Sequence, residues 1–200
     1  EHCWASGSVP PGNLPRAVPS AGDRRICVAP GAPTTVPAVV TQVAEDVKLT
    51  AVGGETRTIA EWTTTFQLLT VVLDPYTHES AWLLETAGRV LANFRGADCR
   101  VSWTVTADET DAKRFLGPWA EEFLTFADPD RELVKALDLQ RLPALVYIRQ
   151  DLAVVGTAQG WNPPEWEHLG ALVGKVNSWS HPNLPGAGDP GPFEGSPAKG

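Results

Sequence analysis

The feature that most constrains the fold of this chain is the apolar run FQLLTVVL, residues 66–73, together with the helical pattern that follows it. A run that is apolar on both faces is typical of a central strand that is covered on each side. From His78 to Phe94, apolar residues recur at helical spacing, and Thr77 just before them is the predicted N-cap. A buried strand followed directly by a helix predicts a crossover unit in an α/β sheet.

Hydrophobic periodicity extends this pattern over residues 41–180. The pair Gly53-Gly54 separates two short strand patterns and predicts a β-hairpin at the start of this region. Further strands are predicted at CRVSWTVTA, EEFLTF, RLPALVYI and LAVVGTAQG, and further helices at ETDAKRFL, after Asp128-Pro129-Asp130 and after Asn162-Pro163. This order predicts an α/β domain with a mixed central sheet and helices on both of its faces.

The two ends of the chain differ from this middle region. Residues 1–40 and 181–200 are rich in Pro, Gly, Ser and Ala and have neither apolar period. Such segments bury too little apolar surface to offset the entropy of ordering, so both are predicted to be tails. Phe193 is an apolar residue of the second tail that could dock, and a plain disordered end is the alternative.

Composition excludes several classes of partner. Two hundred residues suit a single domain, and 42% hydrophobic residues can form its core. The net charge is −8 and no cluster of Lys and Arg exceeds a pair, so neither nucleic acid nor an anionic membrane is a predicted partner. The longest apolar run is far shorter than the roughly 18 residues of a membrane-spanning helix. We therefore expect a soluble protein.

The cysteines point to no disulfide framework or metal site. Cys3, Cys27 and Cys99 form neither a C-x-x-C pair nor a zinc-like spacing, so we expect no metal, no cofactor and a cytoplasmic location. The chain begins at Glu1 and contains no Met, which leaves an upstream leader open.

The order of elements and several short motifs resemble the thioredoxin superfamily, in particular its thiol-reductase and peroxiredoxin-like branch. The resemblance covers residues 44–178 and rests on VKLTAVGGETRTIAEW, FLTFADPDRELVKALDL, and RLPALVYI followed by LAVVGTAQG. It implies a three-layer thioredoxin-like domain with an N-terminal β-hairpin extension. It also implies a cis peptide bond between Leu142 and Pro143, beside the turn where the superfamily has its active site.

The same resemblance shows what this chain lacks. The C-x-x-C positions of the superfamily correspond to Glu79-Ser80-Ala81-Trp82, so neither thiol is present. The peroxiredoxin pattern P-x-x-x-T-x-x-C begins at Pro75 but has Glu79 and Trp82 in place of its Thr and Cys. A carboxylate or an indole cannot replace a thiolate in disulfide exchange. Trp82 is instead interpreted as a plug at the place where substrate thiols would approach.

The first functional hypothesis is therefore a redox-inactive thioredoxin-like domain that binds a protein or an extended peptide. In the superfamily, backbone next to the cis-proline pairs with an extended substrate, and strand addition of this kind does not need the cysteines. The predicted binding residues all lie on the former active-site face: Pro75, Tyr76, Thr77, His78, Glu79, Trp82, Leu142 and Pro143.

The second hypothesis is a thiol-dependent oxidoreductase or peroxidase that uses a cysteine outside the motif, with Cys99 as the candidate. Against it, Cys99 begins a predicted inner strand, and a free cysteine in such a position is most often buried and inert. A third possibility is a small-ligand sensor at the polar turn YTHES, residues 76–80.

Overall fold

The computed structural model of the protein describes residues 42–199. The first predicted tail, with Cys3 and Cys27, lies outside the described residues. Between residues 42 and 199, no helix is long and apolar enough to cross a lipid bilayer.

The described region contains one seven-stranded mixed sheet, in the order β2-β1-β5-β4-β3-β7-β8. Strands β3, β4 and β5 are parallel to one another, and the other neighbours are antiparallel. The strands are β1 (Lys48–Ala51), β2 (Thr56–Thr58), β3 (Gln67–Leu73), β4 (Cys99–Val105), β5 (Leu124–Ala127), β6 (Arg141–Leu142), β7 (Ala144–Ile148), β8 (Val154–Gln159) and β9 (Ser196–Pro197). Strands β6 and β9 form a separate two-stranded sheet.

Helices cover both faces of the large sheet. They are α1 (Ile59–Thr63), α2 (His78–Phe94), α3 (Glu109–Leu116), α4 (Trp119–Glu122), α5 (Glu132–Ala136) and α6 (Pro163–Asn177). Helices α2, α3 and α6 contribute to one hydrophobic core, and α1 and α5 contribute to the other. The three layers predicted from the order of elements are therefore present.

Strand β3 shows why its apolar run has no polar face. Leu69, Val71 and Leu73 pack into the core under α2 and α6, whereas Leu68 and Val72 pack into the core on the opposite side. Since successive side chains of a strand point to opposite faces, a strand between two cores needs apolar residues at nearly every position.

Two local predictions need correction. The segment EEFLTF begins with the last turn of α4, so β5 starts only at Leu124. Helix α5 starts later than Asp128-Pro129-Asp130 implies, because Arg131 is its N-cap and has a left-handed backbone. The Asp128 carboxylate still accepts hydrogen bonds from the first amides of α5, those of Glu132 and Leu133.

The C-terminal segment is placed against the domain rather than away from it. Ser196-Pro197 pairs with Arg141-Leu142 as β9, and Trp161 forms an isolated antiparallel bridge with Phe193. Ala198 has no exposed surface. Composition alone predicts a loose tail over residues 181–200, whereas the observed contacts are largely backbone hydrogen bonds, which composition does not encode.

Candidate functional site

The turn after β3 is held by short-range hydrogen bonds around Asp74. The Asp74 carboxylate accepts from the Tyr76 amide at 3.0 Å, and the Asp74 amide donates to Ser80 Oγ at 3.0 Å. Thr77 occupies the N-cap of α2 as predicted, but its hydroxyl donates to the Asp74 carbonyl at 2.9 Å and caps no helix amide. These hydrogen bonds stabilise this arrangement of the backbone between β3 and α2.

This arrangement leaves an aromatic surface exposed. Tyr76 is 67% and Trp82 60% exposed, and His78 stacks on Trp82 with ring centroids 6.2 Å apart. The Tyr76 hydroxyl donates to Asp111 at 2.6 Å, and this hydrogen bond raises the pKa of the phenol. Trp82, interpreted above as a plug, therefore has its ring largely exposed at the surface. Surface aromatics of this kind favour binding.

Leu142 and Pro143 lie at the same end of the sheet as this turn. The peptide bond between them is cis, and both residues are buried. Pro143 immediately precedes β7, whose first residue, Ala144, is in register with Val72 near the end of β3. The Pro143 carbonyl accepts from the Gly160 amide at 2.8 Å.

The backbone just before Pro143 is already paired with an extended segment of the chain. Leu142 is in register with Ser196, and Arg141 is in register with Pro197, in antiparallel orientation. The Ala198 amide continues the pairing by donating to the Gln140 carbonyl at 2.9 Å. We call residues 140–142 the groove edge.

Arg131 connects the turn to the groove edge. Its guanidinium donates to the Asp74 carboxylate at 2.8 Å and to the Ala198 carbonyl at 2.5 Å. The side chains of Arg131 and Asp74 are 20% and 7% exposed, so the pair is largely shielded from water. One partly buried cation therefore contacts both the turn after β3 and the C-terminal segment.

Phe193 connects the exposed aromatics to the same segment. Its ring lies edge-on to Trp82 with centroids 6.0 Å apart, and its backbone exchanges two hydrogen bonds with Trp161. A pocket of about 520 Å³ opens beside these rings, lined by Arg141, Gln159, Trp161, Asn162, Glu165, Pro192, Phe193 and Glu194. Trp161 itself has no exposed surface.

The predicted site residues therefore fall into two groups, and the C-terminal segment contacts both. Pro75, Tyr76, Thr77, His78, Glu79 and Trp82 lie in the turn and at the start of α2, whereas Leu142 belongs to the groove edge and Pro143 directly follows it. Sequence reasoning missed Arg131 and Ala198. Phe193, an aromatic residue in a Pro/Gly-rich segment, was the signal in the sequence that pointed to this contact.

Cys99 lies far from the turn. It is in register with Gln67 at the start of β3, and about 20 Å of strand separates it from the end of β4. Cys99 is 7% exposed, and burial, with a smaller contribution from the Asp98 charge, raises the pKa of its thiol to about 11. Its only hydrogen-bond contact in the described region is the Phe94 carbonyl, at 3.9 Å.

Residues 42–199 contain no cluster of three His, Cys, Asp or Glu side chains with metal-site geometry. His168 and His181 are both exposed.

Comparison with known proteins gives structural but not sequence matches. No protein-family model matches the chain, and no curated protein matches it. A secreted Mycobacterium tuberculosis disulfide oxidoreductase homologous to E. coli DsbE is 15% identical, with a TM-score of 0.51 over 65% of this chain and 96% of that one.

Two Xanthomonas campestris proteins match similarly. The bacterioferritin comigratory protein, described as having alkyl peroxide reduction activity, is 15% identical, with a TM-score of 0.55 over 70% of this chain and 97% of that one. Peroxiredoxin Q is 14% identical, with a TM-score of 0.55 over 70% of this chain and 96% of that one. The mixed sheet, the flanking helices and these matches together show that the chain has the thioredoxin-like fold.

Proposed function

We propose that this chain is a peptide-binding module that takes up an extended segment of a partner protein by strand addition at the groove edge. The observation that carries the proposal is the pairing of Arg141-Leu142 with Ser196-Pro197. An edge that accepts one extended segment in antiparallel register offers the same backbone groups to another.

The surface next to the groove edge supports binding rather than thiol chemistry. Exposed Tyr76 and Trp82 provide large apolar area of the kind that is enriched at the energetic centre of interfaces. The positions that would carry thiols in the superfamily are Glu79 and Trp82. Disulfide exchange at this turn therefore has no nucleophile.

A displayed library of extended peptides, selected on the full chain, tests the proposal. Selection is run on the wild type and on Gly195→Val, because a Cβ at position 195 would lie 2.5 Å from the Leu142 carbonyl oxygen and would loosen the paired segment. Trp82→Ala, introduced in the same chain, should weaken selected peptides by about tenfold or more, as expected for an aromatic anchor.

Phe66→Ala is the matched control for Trp82→Ala. Phe66 is 41% exposed and precedes β3, at the end of the sheet opposite to the turn. Its removal should leave peptide affinity unchanged. Failure to select any peptide on either chain would overturn the proposal. It would also be overturned by peptides that bind equally well after Trp82→Ala and that protect from hydrogen exchange only amides outside residues 74–82 and 140–142.

A thiol-dependent oxidoreductase or peroxidase is the second candidate. It is supported by the fold matches, since two of the matched proteins are described by disulfide oxidoreduction and alkyl peroxide reduction. The burial and raised pKa of Cys99 oppose it. Insulin-reduction and peroxide-consumption assays decide between the candidates when the wild type is compared with Cys3→Ser, Cys27→Ser and Cys99→Ser. Turnover that one of these substitutions abolishes would establish the second candidate.

A further inference from the structure

We infer that residues 189–199, which we call the C-terminal strap, are an internal ligand of the groove edge. The strap occupies the site that a partner segment would use, and its sequence defines the type of segment that the site accepts. This inference rests on the proposed function and adds to it both a resting state and a class of partner.

The strap has the contacts of a bound extended peptide. Its backbone pairs with the groove edge at Ser196 and Pro197, and the Ala198 amide donates to Gln140. The Ser196 hydroxyl donates to the Leu142 carbonyl at 3.3 Å. These contacts use backbone groups of the groove edge, so they are available to other chains with a compatible sequence.

Two positions of the strap admit only small residues. Ala198 is fully buried in the core that contains Leu142. Gly195 has a φ of 82°, and a Cβ there would also lie 3.0 Å from the Gly160 Cα. Pro197 between them is exposed, and its side chain is therefore not selected. The groove consequently favours the pattern Gly-Ser-x-Ala.

An aromatic anchor precedes this pattern. Phe193, two residues before Gly195, contacts Trp82 and pairs with Trp161. The partner that fits the site is thus a protein with an extended segment containing an aromatic residue, one intervening residue, and then Gly-Ser-x-Ala. A second copy of this chain carries the same segment and is treated below as an outcome of the test.

The strap is tethered at its start independently of the groove. The Asp189 side chain is 3% exposed and accepts hydrogen bonds from Thr86 at 2.7 Å and from Arg89, both on α2. Residues 193–199 can leave the groove edge while this tether holds. A tethered competitor has a high effective concentration at the groove edge. A partner can bind only those molecules whose groove edge is free, so its apparent affinity equals its intrinsic affinity multiplied by the fraction of such molecules.

A labelled peptide with the strap sequence, DPGPFEGSPAK, provides the test. Its binding to the 200-residue wild-type chain and to the Gly195→Val and Gly191→Val variants is measured by fluorescence anisotropy. Gly191 is the matched control, because a Cβ at that strap position meets nothing within 4 Å. We expect Gly195→Val to bind the peptide at least tenfold more tightly than the wild type, and Gly191→Val to behave as the wild type. A peptide with Val in place of its own glycine at position 195 should not bind.

The outcomes separate this inference from the proposed function. Equal binding of library-selected peptides to the wild type and Gly195→Val would leave the proposed function standing and overturn the inference. No binding of any peptide to either chain would overturn both. A concentration-dependent dimer of the wild type in sedimentation, lost in Gly195→Val, would assign the strap to a neighbouring copy and overturn its role as an internal ligand.

Hydrogen exchange in the wild type keeps the inference testable if Gly195→Val unfolds. The Ala198 amide should exchange at least tenfold faster than the amides of β3 and β7, because the strap opens locally. If the Ala198 amide instead exchanges only when the β3 amides exchange, the strap is a permanent part of the fold and the inference is overturned.

Discussion

Arg131 connects the turn after β3 to the C-terminal strap through a single side chain. It has a left-handed backbone, with a φ of 55°, and its guanidinium contacts Asp74 and the Ala198 carbonyl. A buried carboxylate that loses its cation keeps most of its desolvation cost. Asp74 would retain only the hydrogen bond from the Tyr76 amide.

We therefore expect Arg131→Met to lower the free energy of unfolding by about 2 kcal/mol. Arg141→Met is the control, because Arg141 and Glu194 are exposed and 3.8 Å apart, and such pairs contribute about 0 to 1 kcal/mol. Urea titration of both variants measures the difference. Equal losses in the two variants would contradict the assignment of Arg131 as the cation that compensates the buried Asp74 carboxylate.

Cys99 gives a second prediction at this scale. A thiol with a pKa of about 11 instead of 9.0 has about a hundredfold less thiolate at neutral pH, and the thiolate is the reactive form. In a chain carrying Cys3→Ser and Cys27→Ser, iodoacetamide should alkylate native Cys99 at least a hundredfold more slowly than the urea-unfolded chain. Mass spectrometry follows the reaction. Comparable rates in the two states would revive the thiol-dependent candidate.

Helix α2 was predicted from sequence with the bounds His78 and Phe94, which the structure confirms. Its start and its buried face are both encoded in local spacing, so periodicity is enough to find them. The start of α5 at Arg131 depends instead on a left-handed residue and on the Asp128 carboxylate. This carboxylate accepts hydrogen bonds from the amides of Glu132 and Leu133, further along the chain. Neither feature has a period that a single sequence reveals.

Helix α2 also contains Gly88, and its replacement compares the cost of tighter packing with the gain in helix propensity. Alanine at an interior helix position is favoured over glycine by about 1 kcal/mol. A Cβ at Gly88, however, would lie 2.7 Å from the Trp119 ring, which also stacks on Phe123. Overpacking of this kind costs about 1 to 3 kcal/mol, so Gly88→Ala should destabilise the protein on balance.

Thermal or urea unfolding of Gly88→Ala measures this loss, and Trp119→Leu is the partner variant. In the Trp119→Leu background the clash is absent, and the alanine should be neutral or stabilising. A stabilised Gly88→Ala in the wild-type background would show that the Trp119 ring moves aside without cost.

In the whole described domain, the sheet separates two cores, and sequence periodicity was sufficient to predict that division. The turn and Leu142-Pro143 were also placed at one end of the sheet by the order of elements and the resemblance. The strap was not predicted, because its attachment depends on backbone pairing and on isolated contacts of Phe193, Asp189 and Ala198. Composition describes such a segment only as a tail.

Attachment of the strap should depend on pH through Asp189. Burial alone would raise the pKa of this carboxyl, but hydrogen bonds from Thr86, from the Gly186 amide and from Arg89 outweigh burial and lower the pKa below its ordinary value of 3.8. A lowered pKa means that the stabilisation is complete above pH 3.8 and is lost as the pH falls through the pKa of the docked form. At the other end of the strap, Lys199 pairs with Asp138 and lowers the pKa of that carboxyl. The stabilisation from this pair is therefore also lost as the pH falls.

We expect the strap amides to lose protection below about pH 4, relative to the amides of β3, after correction for intrinsic exchange rates. Asp189→Asn should remove most of this additional dependence on pH. Hydrogen exchange between pH 3 and 6 provides the measurement. Strap protection that follows the β3 amides across this range would mean that Asp189 does not control attachment.

The pairing of β9 with β6 also bears on how the protein avoids aggregation. An unpaired strand edge is a template for association with other chains, and natural proteins cover such edges or shorten them. With the strap docked, the backbone before Pro143 is not available to other chains. Variants with a loosened strap should therefore lose colloidal stability before they lose fold, unless a partner segment takes the vacated edge.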